Sequence, residues 1–258
     1  KVAVYATGLY YRDDEFPTKL TEEARSYLDA GYGGMKTKVG GLSVADDMKR
    51  VKAIRDAIGD DVYLMVDANK AYSARTAIDV GKRLADLNIH WFEEPVLAND
   101  VDAYLEVKAQ QPIPVAGGEV LYNRFESRDL ISRRALDIIQ PDVRFIGGVS
   151  EFRNVATMAN AHGIQVNPHV WGSPIMIAAS ISLTSTFPSC PYSRNPQPYE
   201  QEPVMEFDQT PNTIRNELAS IAFEQKGGYV EVPNGPGLGI DIDEKALERF
   251  CVRHCSSK

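Results

Sequence analysis

Val62-Tyr63-Leu64-Met65-Val66-Asp67-Ala68-Asn69, Ile89-His90-Trp91-Phe92-Glu93-Glu94-Pro95 and Ile113-Pro114-Val115-Ala116-Gly117-Gly118-Glu119 decide the reading of this chain. In each, an apolar run ends on an acid, and 26 residues separate Asp67 from Glu93 and Glu93 from Glu119. That interval is the length of one strand, one helix and two short loops. Acids recurring at one place in successive βα units should stand side by side at the ends of neighbouring parallel strands. At about 4 Å, each pair of like charges costs roughly 4 kcal/mol even at an effective dielectric near 20. Three converging carboxylates therefore call for a cation.

Outward from these stretches, strand and helix signals alternate. Further strands are predicted at Val2–Thr7, Gly34–Lys38, Leu136–Gln140, Ile164–Asn167 and Val204–Phe207. Helices are predicted over Thr21–Ala30, with Thr21 as N-cap, and over Ala45–Ile58, where Met48, Val51, Ile54 and Ile58 share one face. Others follow Ser73, and span Val101–Gln110, Arg124–Arg133, Ser150–His162, Pro174–Ser185 and Glu244–Phe250. The strands are continuously apolar, as in a parallel sheet covered by helices. Eight repeats in 258 residues favour an α/β fold of the (β/α)8 TIM-barrel type over a doubly wound open sheet. We expect a barrel over residues 1–220 and an extension over 221–258 with hairpin turns at Gly227-Gly228 and Pro233–Gly239. The long loop from Thr186 to Pro203 reads as an active-site feature.

Composition excludes other classes. The net charge of −8 argues against non-specific nucleic-acid binding, and no apolar run is long enough for a membrane span. Three cysteines (Cys190, Cys251, Cys255) are too few and too unevenly placed for a disulfide framework or zinc site. Cys251, His254 and Cys255 read as a polar tail. A cytoplasmic location is the default, and a homo-oligomer is compatible with the sequence.

The other strand ends add chemistry. Lys36 and Lys38, two apart on a strand, point to one side, and two lysines in a barrel mouth should lower each other's pKa, making one a base. Asp67 and Asn69 form another same-side pair. Of Glu93 and Glu94, only one can easily face the centre. Gly117-Gly118 before Glu119 should leave room for a ligand. Asp142 and His169, 27 residues apart, should be neighbours, a carboxylate orienting an acid/base histidine. Glu206 ends the presumed eighth strand. Ligands that are all oxygen point to magnesium.

This constellation resembles the barrel domain of the enolase superfamily, in its mandelate racemase subgroup. The matching pieces are Lys36-Thr37-Lys38, Val66-Asp67-Ala68-Asn69, Phe92-Glu93-Glu94-Pro95, Gly118-Glu119, Pro141-Asp142 with Ile146-Gly147-Gly148-Val149, and His169. A lysine or histidine base working with magnesium is the general pattern of that superfamily. The resemblance implies Mg²⁺ on Asp67, Glu93 and Glu119, with Lys36 binding the carboxylate of a small-molecule substrate. It implies Lys38 as the base on one face of the α-carbon, and His169, oriented by Asp142, as acid or base on the other. Glu206 matches a carboxylic acid that hydrogen-bonds an enediolate, and Asn69 would lie beside metal and substrate. Lys70 stands where the family more often has an uncharged residue.

The expected reaction is α-proton abstraction. The polar residues Tyr10, Tyr11, Lys70, Tyr72 and Asn167 favour dehydration of a sugar acid to a 2-keto-3-deoxy acid. Racemisation or epimerisation of a 2-hydroxy acid is the alternative. The resemblance also implies an N-terminal α+β capping domain. The sequence starts at the first barrel strand, so we expect a barrel lacking that domain, either as a fragment or excised domain or with its cap supplied from elsewhere. A barrel without its cap should bind Mg²⁺ but turn over poorly, with Gly227–Gly239 exposed or loosely held. A metal- or ligand-binding module and a histidine-rich metal hydrolase are the remaining readings.

Overall fold

The computed structural model describes residues 1–12 and 16–253. Strands and helices alternate: β1 (Val2–Thr7), α1 (Thr18–Asp29), β2 (Gly34–Lys38), α2 (Val44–Ile58), β3 (Tyr63–Asp67), α3 (Ala74–Leu84), β4 (Ile89–Glu93), α4 (Val101–Gln110) and β5 (Val115–Gly117). They continue with α5 (Arg124–Ser132), β6 (Ile138–Ile139), α6 (Val149–Ala161), β7 (Gln165–Val166), α7 (Pro174–Thr184) and β8 (Val204–Asp208). Beyond these lie α8 (Thr213–Glu217), the hairpin β9 (Gln225–Lys226) and β10 (Tyr229–Val230), and α9 (Glu244–Phe250).

Local chemistry sets the helix starts. Ser43, Ser73 and Ser173 accept from the backbone N–H groups of Asp46, Thr76 and Met176, satisfying donors that a helix leaves free. The expected cap at Thr21 is not formed. Helix α1 starts earlier, behind Pro17, and the Thr21 hydroxyl donates to the carbonyl of Thr18 within the first turn.

The first eight strands run parallel in the order β8-β1-β2-β3-β4-β5-β6-β7. Their apolar residues fall into two buried clusters. The larger lies between sheet and helices. The smaller joins Ala3 and Tyr5 of β1, Met65 of β3, Trp91 of β4, Ala116 of β5, Ile138 of β6 and Val204 of β8. Tyr5 meets Trp91 edge-on at 5.2 Å. Side chains from strands so far apart in the sheet touch only if the sheet curls around them. No ladder joins β7 to β8 among the described residues. Side chains span that seam instead: Asn167 accepts from the Val204 N–H at 3.0 Å, and Gln165 donates to the Glu200 carbonyl.

Two expectations are corrected here. The Thr186–Pro203 loop follows a helix, so it returns to the N-terminal ends of the strands, opposite the mouth. Its Tyr199 stacks on Tyr63 at 4.5 Å and donates to the Val4 carbonyl, while His90 contacts the Tyr199 carbonyl. A Cβ at Gly34 would come within 2.7 Å of the Tyr199 ring. The loop plugs the floor and does not build an active site. The first part of Gly227–Gly239 is pinned, not loose: Val230 and Tyr229 pair with Val2 and Ala3. The ladder of β2 on β1 begins only at Ala6, so β10 covers the edge left below it. Asn234–Gly237 is exposed, as expected. His254 and Cys255 lie outside the described residues. Cys190 and Cys251 are free thiols.

Candidate active site

Strand register builds the first part of the site. Lys38 is opposite Asp67, and Asp67 opposite Glu93, so three charged groups share one row at the strand ends. Glu119 reaches that row differently. Strand β5 ends at Gly117, and Gly118, at a φ of +109°, turns the chain back toward the centre. Equal spacing in sequence therefore does not mean equal register. The result is nonetheless convergent: one ligand oxygen from each of Asp67, Glu93 and Glu119 lies within 4.8 Å of the others. A donor set made of carboxylate oxygens fits a hard divalent cation.

The surrounding cations confirm how crowded the negative charge is. Lys36, 1% exposed, lies 2.5 Å from Glu93, 3.1 Å from Glu206 and 3.7 Å from Asp67. Lys38 lies 2.5 Å from Asp67, so both lysines do face one side. Their mutual repulsion does not govern Lys36, however. Burial works against its charge, but Glu206, Glu93 and Asp67 outweigh that and hold its pKa well above the ordinary value. Carboxylates outnumber the lysines here, which reverses the expected sign. Glu93 is pushed up to about 7, first by burial and then by Asp67, Glu206 and Glu119 against the pull of Lys36. Its second oxygen accepts from Trp91 Nε1 at 3.0 Å and Gln140 Nε2 at 2.7 Å.

Glu94 turns away from this row. It is fully buried, with φ at +41°, and pairs with Lys70, which also lies 3.4 Å from Glu119. Asn69 is past the strand end with φ at +42°, so period two no longer applies to it. It is exposed, and its backbone N–H donates to Asp67 at 2.8 Å. Gly117 leaves no room for a ligand, because a Cβ there would meet the Tyr104 hydroxyl at 2.8 Å.

Across the mouth, His169 Nδ1 donates to Asp142 Oδ2 at 2.8 Å. A carboxylate can only accept, which puts the proton on Nδ1. His169 Nε2 faces Glu119 at 3.4 Å and Glu206 at 3.7 Å. Burial lowers the His169 pKa, but Glu206, Asp142 and Glu119 overcome it and raise it to about 9. Glu206 accepts from Thr7 and from the Val170 N–H. Burial works against its charge, but Lys36, His169 and Lys38 hold its carboxyl far below the usual range. It is presented as an acceptor, whereas the role the resemblance implies is that of a donor.

Sequence reasoning passed over Gln140, Trp91, Thr7 and Arg144. Gln140 and Arg144 flank Asp142 at two residues on either side, and Trp91 stands two before Glu93. For Trp91, on the same strand as Glu93, period two was the available signal. Gln140, Asp142 and Arg144 lie past the end of β6, where only nearness along the chain pointed to them.

A mostly parallel sheet whose strand ends bring together three carboxylates that could hold a metal ion, with Lys36, Lys38 and His169 beside them, defines an α/β domain of the barrel type. The family model described as Enolase C-terminal domain-like matches residues 19–246. The chain belongs to this family. It is 42% identical over 251 residues to the D-galactarolactone cycloisomerase of Agrobacterium fabrum, covering 96% of this chain and 65% of that protein. It is 32% identical over 250 residues to the arabinonate dehydratase of Saccharolobus solfataricus, covering 97% and 64%. The crystal structure of the 3,6-anhydro-D-galactonate cycloisomerase from Zobellia galactanivorans superposes with a TM-score of 0.86 at 36% identity, over 96% of this chain and 66% of that one. The chain thus spans about 65% of the length of the curated relatives it matches.

Proposed function

We propose that this chain is the proton-transferring barrel of an acid-sugar enzyme. The reaction is Mg²⁺-dependent removal of the α-proton of a carboxylate substrate, giving an enediolate, and then dehydration to a 2-keto-3-deoxy acid. The observation that carries this reading is the convergence of Asp67, Glu93 and Glu119 oxygens between two lysines on β2 and the Asp142–His169 pair after β7. The support from relatives is that dehydratases and cycloisomerases of sugar acids match nearly the whole chain.

Asp67, Glu93 and Glu119 would hold Mg²⁺, which supplies counter-charge for the negative charge that develops on the substrate carboxylate. Lys36 binds that carboxylate. Lys38 takes the α-proton from one face. His169, held by Asp142, serves the other face as the acid that protonates the departing β-hydroxyl. Glu206 keeps Lys36 and His169 in register, and Asn69 borders the substrate. The curled sheet is closed in this reading as a (β/α)8 barrel over residues 1–220, with 221–258 as an extension, and β2 and β7 then lie across the mouth from each other.

Isomerisation is the second reading, because the relative at 42% identity is a cycloisomerase. The part of the relatives outside the match is taken to include the capping domain that the resemblance implies, and full turnover is expected only with it. No helix among the described residues is long and apolar enough to cross a membrane, and we place the protein in the cytoplasm.

The test has two arms. Calorimetric titration should show Mg²⁺ binding that D67N, E93Q and E119Q each weaken by tenfold or more (roughly 1.4 kcal/mol). NMR in D₂O should show Mg²⁺-dependent α-proton exchange of a sugar acid, with a capping domain supplied. Absence of exchange across a sugar-acid library would overturn the reading.

A further inference from the structure

Arg144 lies outside every role assigned above, yet it makes three hydrogen bonds to Asp142. Its backbone N–H donates to Asp142 Oδ1 at 2.8 Å, its Nε to the same oxygen at 3.1 Å, and its Nη2 to Oδ2 at 2.6 Å. Oδ2 is also the acceptor of His169 Nδ1. Asp142 itself is fully buried.

We propose that Arg144 is a positioning residue for His169, acting through Asp142. The physical reason is torsional. A carboxylate held by one partner can rotate about its Cα–Cβ and Cβ–Cγ bonds. A planar guanidinium fork bonded to both oxygens fixes the carboxylate plane. With that plane fixed, Oδ2 keeps its aim at His169 Nδ1, the Nδ1 proton is held in place, and Nε2 is left facing Glu119 and Glu206.

The fork is itself confined. The Arg144 guanidinium carbon lies 5.1 Å from the centre of the Phe145 ring. On the other strand-end loop, Gly172 makes room for it: a Cβ there would sit 3.0 Å from Arg144 Nη1. The arginine therefore bridges the loop after β6 to the loop after β7, which carries His169. Its side chain is 40% exposed. Asp142 is fully buried, so removing the arginine leaves its carboxylate with only His169 and the backbone N–H of residue 144 as donors, and some loss of stability accompanies the local effect.

The importance of His169 as an acid rests on the proposed function, but its orientation does not. The experiment separates the two. In protein labelled with ¹⁵N at histidine, the wild type should show a far-downfield Nδ1 proton for His169, absent in D142N. In R144M, measured well below the melting temperature of the variant, that proton should exchange with water about tenfold faster or more, as expected for loss of a charge-assisted hydrogen bond. R144K keeps the charge but not the fork and should fall between. An unchanged proton in R144M overturns the proposal, whatever the enzyme does. In α-proton exchange and dehydration assays, R144M should lower kcat about tenfold or more with little change in KM. A wild type without turnover would count against the proposed function and leave the NMR result to decide the role of Arg144.

Discussion

Lys36→Met is the sharpest probe of the charge cluster. The substitution keeps the length of a side chain that is 1% exposed and removes only the cation between Glu93, Glu206 and Asp67. At an effective dielectric near 20, contacts of this length carry roughly 4–7 kcal/mol of attraction each, most of it offset by desolvation. Removing one member of such a buried set leaves the other charges uncompensated, at about 3–5 kcal/mol. For a chain of this size that is a fall in melting temperature of roughly 6–20 °C at pH 7. Two further responses follow from the same geometry. The deficit should shrink toward about pH 5, because Glu93 titrates at about 7 with Lys36 present and at higher pH without it. Mg²⁺ should also raise the melting temperature of Lys36→Met more than that of the wild type, since it replaces the missing charge. Differential scanning calorimetry across pH, with and without Mg²⁺, reads all three. A loss below about 3 °C, or equal responses to Mg²⁺, would refute the reasoning.

Two other outcomes are expected. His169 should titrate at about 9, its burial outweighed by Glu206, Asp142 and Glu119. Because the folded value lies above the unfolded one, this pairing stabilises the protein fully below about pH 6.5 and is lost as pH rises through 9. Histidine ¹H–¹⁵N spectra against pH check it, and a value near 6.5 would contradict the contacts described. Gly34→Ala should destabilise by about 1–3 kcal/mol, because its Cβ would overlap the Tyr199 ring. Tyr199→Ala should absorb most of that penalty in the double variant, and additive losses by urea denaturation would show the ring is not the obstacle.

Much of the fold was legible in sequence, because parallel strands bury both faces and so read as unbroken apolar runs. Strands β1 and β2 and helix α4 appear with the expected bounds. The predicted Leu136–Gln140 and Ile164–Asn167 strands shrink to two-residue ladders, although Gln140 and Asn167 still donate backbone N–H groups to Gly117 and Ile139. The chain follows the expected path there while formal pairing stops early. Length alone suggests an active-site role for the Thr186–Pro203 loop, but its direction decides otherwise: a segment after a helix returns to the floor.

The site divides in the same way. Repeat length alone determined that Asp67, Glu93, Asp142 and His169 would come to one rim, since each ends or follows a strand of the same parallel set. Composition determined that an acidic, oxygen-rich rim would suit a hard cation. Only tertiary structure decided which way each group points. Left-handed backbone at Glu94 turns one of two adjacent glutamates toward Lys70, and Gly118 swings Glu119 back from beyond its strand. The high pKa of Lys36 and the fork of Arg144 on Asp142 likewise depend on partners brought in by the fold. Spacing along a chain is one-dimensional and assigns a residue to a strand end. Orientation and charge state depend on the neighbours that other strands supply, and those distances exist only once the sheet has curled.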